Sequence, residues 1–429
     1  MSTESREKAE ASLREALLRC NKCGFCLAHC PIYKVTGVEW TAARGRIALI
    51  SSALLDDQLE ISEIKDPVFN CLTCNACVDD CPGGVTTADI IFGTREEMLK
   101  RQGQPWVQKL LFQKVLANPS LVHTASKFLR LADVAGLRTA ARKTGLTKLI
   151  GDIGKAEVIV PKVPPSGGLD TIARLAKKVE NPKYRVAYFA GCHAPNFAPE
   201  VAAATIRVLN RHQVDVTVPE FVCCGLPAIG YGDMPSARSL AHTNIDIASK
   251  LNVDAIVTPC ASCSSFLKDY AKLLADEPEW SEKAKDFSSK VKDISEFLID
   301  IGLVTEMGTV RKRVTYHDPC HLVRYQKIKE QPRTILKSIP GVEFIELGEA
   351  DMCCGAAGTY AFTHYDLSQE VLARKMGNVE KTGADILVSS CPACVMQLSS
   401  GVSQQKMPVR VMELVELLDH AYQTAKDVH

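Results

Sequence analysis

Two rhythms of apolar residues divide the chain. Up to about residue 100, apolar positions recur three and four apart, as in the segment RGRIALISSALL from Arg44 to Leu55 and in ADIIFGTREEMLKR over 88–101. That is the spacing of one helix face, and it predicts a helical N-terminal domain over about 1–100. Through the next stretch Trp106, Leu110, Phe112, Val115, Phe128 and Leu129 predict further amphipathic helices, ending at a Pro/Gly-rich tether, VPKVPPSGG. From residue 184 the rhythm changes. Short apolar runs, RVAYFAG, DAIVTP, RVTYHDP and DILVSS, read as strands, and stretches such as PEVAAATIRVLNRHQ and Ser236 to Leu251 read as helices covering the sheet faces. The βα alternation occurs twice. The expected architecture is therefore an α+β multidomain chain: a helical domain over 1–100, a helical linker over 101–183, and two Rossmann-like α/β units over 184–305 and 306–429.

Composition narrows the class. A chain of 429 residues, 46% hydrophobic and 24% charged, folds into several domains and is not disordered. The opening MSTESREKAE is polar and mixed in charge, and no run approaches the ~18 apolar residues of a membrane span. The expected location is the cytoplasm or the cytoplasmic membrane face. A net charge of +1 conceals an asymmetry: residues 101–179 carry 14 Lys or Arg against 4 Asp or Glu. Basic apolar helices of this kind suit an anionic membrane surface, an acidic subunit, or a solvated connector. Nothing interleaves aromatics with the basic residues as a base-stacking surface would, so nucleic acid is not an expected partner.

The 18 cysteines change the picture most. In a reducing compartment, clustered cysteines bind metal more readily than they form disulfides. Cys20, Cys23, Cys26 and Cys30, followed by Pro31, repeat as Cys71, Cys74, Cys77 and Cys81, followed by Pro82. Both match the two-cluster ferredoxin run, in which the fourth cysteine of each run serves the other cluster. One [4Fe–4S] cluster is then expected on Cys20, Cys23, Cys26 and Cys81, and another on Cys71, Cys74, Cys77 and Cys30. Zinc is the competing occupant. The segment between the runs is too long for a compact β-type ferredoxin, which agrees with its helical pattern.

The other ten form one pattern written twice. Cys192, the pair Cys223-Cys224, and Cys260 with Cys263 are followed about 130 residues later by Cys320, the pair Cys353-Cys354, and Cys391 with Cys394. Four of them, Cys192, Cys260, Cys320 and Cys391, stand where a predicted strand ends, the edge at which open α/β sheets collect ligands. Each adjacent pair runs into a glycine, Gly225 or Gly355, which permits a sharp turn and close backbone approach. Buried structural cysteines are the alternative. Histidines crowd the same places, with His193 after Cys192 and with His317 and His321 flanking Cys320; any could hydrogen-bond a sulfur or simply pack. Arg324, one turn on, could offset negative charge or lie on the surface. No catalytic residue is assigned. The chain carries no G-x-G-x-x-G after a strand, no P-loop and no CxxCH haem motif.

These residues resemble a known family. The two Cys-Cys-Gly units look like the cysteine-rich domains of the heterodisulfide reductase family. The order of ferredoxin runs, basic helical segment and two cysteine-rich repeats, with Asp318-Pro-Cys-His321 and TAARGRIALI, is similar to the iron–sulfur subunits of glycolate oxidase. The resemblance implies one or two noncubane [4Fe–4S] clusters on the five-cysteine sets, the first of which has a short 30-residue gap. It also implies an electron-transfer subunit of a 2-hydroxy-acid oxidase. An FAD-containing partner would oxidise glycolate or lactate, since that chemistry needs a hydride acceptor. A quinone, a cytochrome or an electron-transfer flavoprotein would receive the electrons. The rival is a heterodisulfide-type reductase acting on a disulfide with the same cysteines; a cluster scaffold or redox sensor is a third possibility.

Overall fold

The computed structural model describes residues 3–147, 151–165 and 167–426; Ser166 of the tether lies outside them. Residues up to 102 are helical, with long helices Thr3–Leu18, Ala43–Leu54 and Thr87–Gln102 around a core of Ile47, Ile50, Ile64, Val68, Ile90 and Ile91. The two cysteine runs lie in the loops and short turns between them. Helices Trp106–Leu110, Pro119–Val134 and Leu137–Thr144 follow.

The remainder forms two four-stranded sheets. β1 (Tyr184–Tyr188), β2 (Val214–Thr217), β3 (Ala255–Thr258) and β4 (Val291–Asp293) lie in the order β2-β1-β3-β4, and β5 (Lys312–Tyr316), β6 (Val342–Phe344), β7 (Ile386–Ser389) and β8 (Arg410–Glu413) lie as β6-β5-β7-β8. Every pairing is parallel. The central strands are buried on both faces, as parallel strands flanked by helices must be: Val186, Tyr188, Ile256, Val257, Val314, Tyr316, Leu387 and Val388 all lie in the core.

One apolar core spans both sheets, and the helices that build it meet reciprocally. Helix Pro199–Arg211, after β1, packs on helix Leu414–Lys426, after β8; helix Ile294–Asp300, after β4, packs on helix Glu330–Ser338, after β5. The first helix of each unit thus faces the last helix of the other, the pattern a two-fold arrangement of repeated units generates. Arg207 closes the first contact through a bidentate pair with Asp419 at 3.0 and 2.6 Å. Equivalent loops of the two units therefore meet near the pseudo-axis, where Ala261 donates its backbone N–H to the Ser390 carbonyl at 2.9 Å.

Ion pairs and backbone bonds join the N-terminal helices to both units. Lys34 meets Glu349 at 2.7 Å and Lys327 meets Asp79 at 2.7 Å, while Arg95 donates to the Gly230 carbonyl at 2.8 Å. No helix is long and apolar enough to cross a membrane among the described residues.

Candidate metal centres

The first ferredoxin-type hollow is lined by Cys20, Cys23, Cys26, Cys77 and Cys81; the second is lined by Cys30, Cys71, Cys74 and, again, Cys77. The fourth cysteine of each run lies with the first three of the other. Cys23 is exposed, whereas Cys30 and Cys74 are buried. Burial pushes the Cys77 thiol up to about 12 and the Cys74 thiol well above its usual range. Holding such sulfurs as thiolates requires a compensating positive charge.

Part of that charge comes from Arg46, which sequence reasoning left unassigned. It lies on the buried stripe of helix Ala43–Leu54 beside Ala43, Ile47 and Ile50. Its guanidinium donates to the Pro67 carbonyl at 2.8 Å and the Asn70 carbonyl at 3.0 Å and reaches Cys30 Sγ at 4.0 Å. The signal was available: an arginine at an apolar-face position of a helix.

The five-cysteine sets sit at the C-terminal edges of the sheets and line one common cavity of about 230 Å³. β1 ends at Tyr188, so Phe189 to Gly191 carry the chain on to Cys192 as a loop. Cys260 caps helix Ala261–Lys268, its Sγ accepting from the Cys263 N–H at 3.4 Å, and Cys391 caps helix Pro392–Gln405. Sulfurs at helix N-termini receive amide donors and the favourable end of the helix dipole. Gly225 and Gly355 adopt φ of +97° and +89°, and a Cβ on Gly355 would lie 2.6 Å from the Ser368 carbonyl oxygen. Only glycine fits that turn. Buried side chains also hold the turns from behind: Tyr270 donates to the Cys224 carbonyl at 2.6 Å, Asn244 to the Cys223 carbonyl at 3.2 Å, and Ser368 to the Gly355 carbonyl at 2.9 Å.

The ten sulfurs form a continuous series. Thiol contacts run from Cys192 to Cys223, Cys224, Cys263 and Cys260, cross between the units from Cys260 to Cys391, and continue through Cys394, Cys354 and Cys353 to Cys320. Ser262 marks the crossing with its Oγ 3.3 Å from Cys391 Sγ. At the Cys320 end, Cys74 of the second ferredoxin-type hollow packs with Cys320 and Cys353 in one buried cluster.

The donor set fits iron–sulfur clusters. All 18 cysteines are free thiols, grouped four, four and twice five. His317 Nε2 is buried without a hydrogen-bond partner among the described residues, and a ring nitrogen of His317 lies within 4.8 Å of the Cys354 and Cys394 sulfurs. Its Nδ1 bonds the Ala350 carbonyl at 3.1 Å and so carries the proton, leaving Nε2 with an unused lone pair. Burial lowers His317 to about 3 and His193 to about 4, so both are neutral. His193 touches Met396 Sδ at 3.3 Å; His321 stacks on Tyr325 and meets Ser265 Oγ at 3.2 Å.

Of the two readings the sequence left for Arg324, the surface one is corrected. The chain folds back so that Arg324 lies buried between the helical domain and the second unit, paired with Asp79 at 3.3 Å and Asp351 at 2.9 Å. The Cys74 and Cys320 thiols face it, and together with those carboxylates they hold its guanidinium above its ordinary range despite burial. Arg324→Gln should therefore lower two midpoint potentials together, those of the groups held by the Cys74 set and the Cys320 set. A shift on the order of 50 mV, about 1.2 kcal/mol for one electron, is expected. The remote Cys20 set should not move, and a redox titration followed by electron paramagnetic resonance (EPR) reads all of these.

Comparison with known proteins decides the family. The chain is 34% identical over 417 residues to the probable glycolate oxidase iron–sulfur subunit of Bacillus subtilis, covering 94% of this chain and 93% of that protein. The chain belongs to this family of iron–sulfur subunits. It is also 27% identical over 409 residues to the Escherichia coli glycolate oxidase iron–sulfur subunit, covering 93% and 94% of the two chains. A fumarate reductase (CoM/CoB) subunit from Methanothermobacter marburgensis is 29% identical over 411 residues, 94% of this chain and 72% of its own. Family models match as a 4Fe-4S dicluster domain at 16–85, a glycolate oxidase iron-sulfur subunit linker region at 103–159, and a cysteine-rich domain at 186–268 and again at 314–399. The chain is therefore an iron–sulfur protein of mixed helix and parallel sheet, and its relatives are subunits of oxidoreductases.

For a chain of this family, the grouping of Cys30 with the second run has a direct consequence. Cys30→Ser should damage the cluster associated with Cys71, Cys74 and Cys77 and spare that of its own sequence neighbours. EPR of the reduced variant distinguishes this from the reverse.

Proposed function

We propose that this chain is the iron–sulfur electron-transfer subunit of a flavin-dependent 2-hydroxy-acid oxidoreductase complex acting on glycolate or lactate. It would receive electrons from a partner's FAD and pass them to a quinone, a cytochrome or an electron-transfer flavoprotein. The observation that carries the reading is the unbroken series of sulfurs from the ferredoxin-type hollows through Cys74, Cys320 and Cys391 to Cys192. A catalytic subunit needs one reactive centre; a connected series suits conduction.

In this reading two cubane [4Fe–4S] clusters occupy the paired ferredoxin sets, and noncubane [4Fe–4S] clusters occupy the five-cysteine sets of the two Rossmann-like units. Such clusters exchange one electron at a time. The protein's part is to fix the sulfurs on helix termini and glycine turns, to offset charge with Arg46 and Arg324, and to exclude water from the shared cavity. The exposed basic linker supports attachment at the cytoplasmic membrane face.

The resemblance of the two Cys-Cys-Gly units to heterodisulfide reductase cysteine-rich domains supports a second reading, in which the five-cysteine region reduces a disulfide. One experiment separates the two. The isolated chain, reduced chemically, should neither oxidise glycolate or lactate nor cleave a disulfide at a substantial rate, and adding the cognate flavoprotein should produce 2-hydroxy-acid oxidation. Disulfide cleavage by the chain alone, stopped by Cys354→Ala, would install the second reading.

A further inference from the structure

The sulfur series has two ends. One abuts the helical domain at Cys320 and Cys74. The other, Cys192 and Cys223, also borders a second cavity of about 240 Å³, walled by helix Pro119–Val134 of the linker, the Gly167–Thr171 segment and the loop at Glu220 to Val222. We propose that this cavity is a quinone-ring site, at which the chain delivers electrons to a lipid-soluble acceptor; the proposal rests on the electron-transfer reading and names the acceptor and its place.

Size and lining argue for a flat, one- or two-ring molecule. At about 240 Å³, the cavity is below the ~300–1,000 Å³ of sites that hold larger organic ligands. Leu116, Val122 and Phe221 offer apolar contact, while His123, Asp170 and Glu220 offer polar groups. A dicarboxylate would meet two acidic side chains here, whereas an uncharged ring would not be repelled. A protein acceptor needs a flat face and not a pocket of this kind.

His123 is positioned for a ring hydroxyl. Its Nδ1 bonds Asn196 Oδ1 at 3.1 Å, and Asn196 in turn donates from Nδ2 to the Cys192 carbonyl at 3.0 Å. That fixes the amide's orientation, makes Nδ1 the protonated nitrogen and leaves Nε2 without a hydrogen-bond partner among the described residues. With its proton on Nδ1, His123 offers Nε2 as an acceptor to a quinol hydroxyl. The reaction balances: the quinone takes two electrons, delivered singly from the Cys192 end, and two protons from water. Its two C=O groups become C–OH.

The outer face of the same wall supports a lipid-borne ligand. Leu121, Phe128, Leu131 and Val134 of helix Pro119–Val134 are exposed, as are Trp106, Val107 and Leu110 just before it. They lie in the segment where basic residues outnumber acidic ones 14 to 4. An apolar face with Trp and Phe flanked by Lys and Arg is the signature of a helix lying in an anionic membrane interface. The helix would then present its outer face to lipid while Ser120, Val122, His123 and Thr124 line the cavity.

The test is equilibrium binding of decylubiquinone to the oxidised, cluster-loaded chain by calorimetry, without turnover. One saturable site per chain is expected. His123→Leu should weaken it about tenfold, the equivalent of one hydrogen bond, and Val122→Trp, which fills the cavity, should abolish it. Iron content and chemical reducibility, measured on each variant, verify folding. Absence of saturable binding, or binding indifferent to both variants, would overturn the site. Failure of the site and failure of the electron-transfer reading are distinguishable: clusters still reoxidised by ferricyanide but not by decylubiquinone would remove only the site.

Discussion

Anaerobically purified protein is expected to contain about 16 iron atoms per chain, four for each of the four cysteine groups. The expectation rests on completeness. All 18 cysteines are free, and each lies in one of the four groups. Burial raises the Cys74 and Cys77 thiols even with Arg324 beside Cys74 and Arg46 near Cys77, so holding them as thiolates calls for further positive charge. Zinc in the ferredoxin sets alone would leave the protein nearly iron-free, and cubanes alone would give about eight. Cys394→Ala, which breaks the second five-cysteine set without touching the ferredoxin loops, should bring the content to about 12. Metal analysis beside a protein determination reads this directly, and about eight irons in the unmodified chain would remove the assignment for residues 184–429.

The second large effect concerns the route. In the complex with its flavoprotein partner, Cys354→Ala should reduce electron delivery to the terminal acceptor to background while leaving flavin reduction by substrate at its ordinary rate. Cys354 touches both Cys353 and Cys394, so its loss interrupts the series between the Cys320 end and the crossing at Cys391. A structural role alone would slow both half-reactions or neither. Flavin bleaching and acceptor reduction, followed separately, make the distinction.

Much of this architecture is written in local sequence signals. The helical repeat of Ala43–Leu54 and Thr87–Gln102 lies within a residue or two of its expected bounds, and the four apolar runs that form β1, β3, β5 and β7 are the buried central strands. The edge strands β2 and β6 are only four and three residues long, and their half-exposed pattern is too short to distinguish from a loop. The remaining misses are non-local. That Cys260 and Cys391 meet follows from the reciprocal packing of Pro199–Arg211 on Leu414–Lys426, which no spacing encodes. Arg324 reads equally as a charge-offsetting or a surface residue until the helical domain closes over it, and Cys74 has no sequence mark showing that it faces Cys320 across 246 positions. His123 sits in a linker with no motif of its own. It becomes notable only when Asn196, from beyond β1, reaches back to it.

The central claim is that electrons pass through this chain between flavin and acceptor. Mixing the flavoprotein complex with 2-hydroxy acid in a stopped-flow instrument, with acceptor present, tests it most directly. The account predicts flavin bleaching first, then loss of the iron–sulfur absorption, and only then reduction of the acceptor, with the last two phases absent in Cys354→Ala. Acceptor reduction that keeps pace with flavin reoxidation while the iron–sulfur absorption stays at its oxidised level would contradict it.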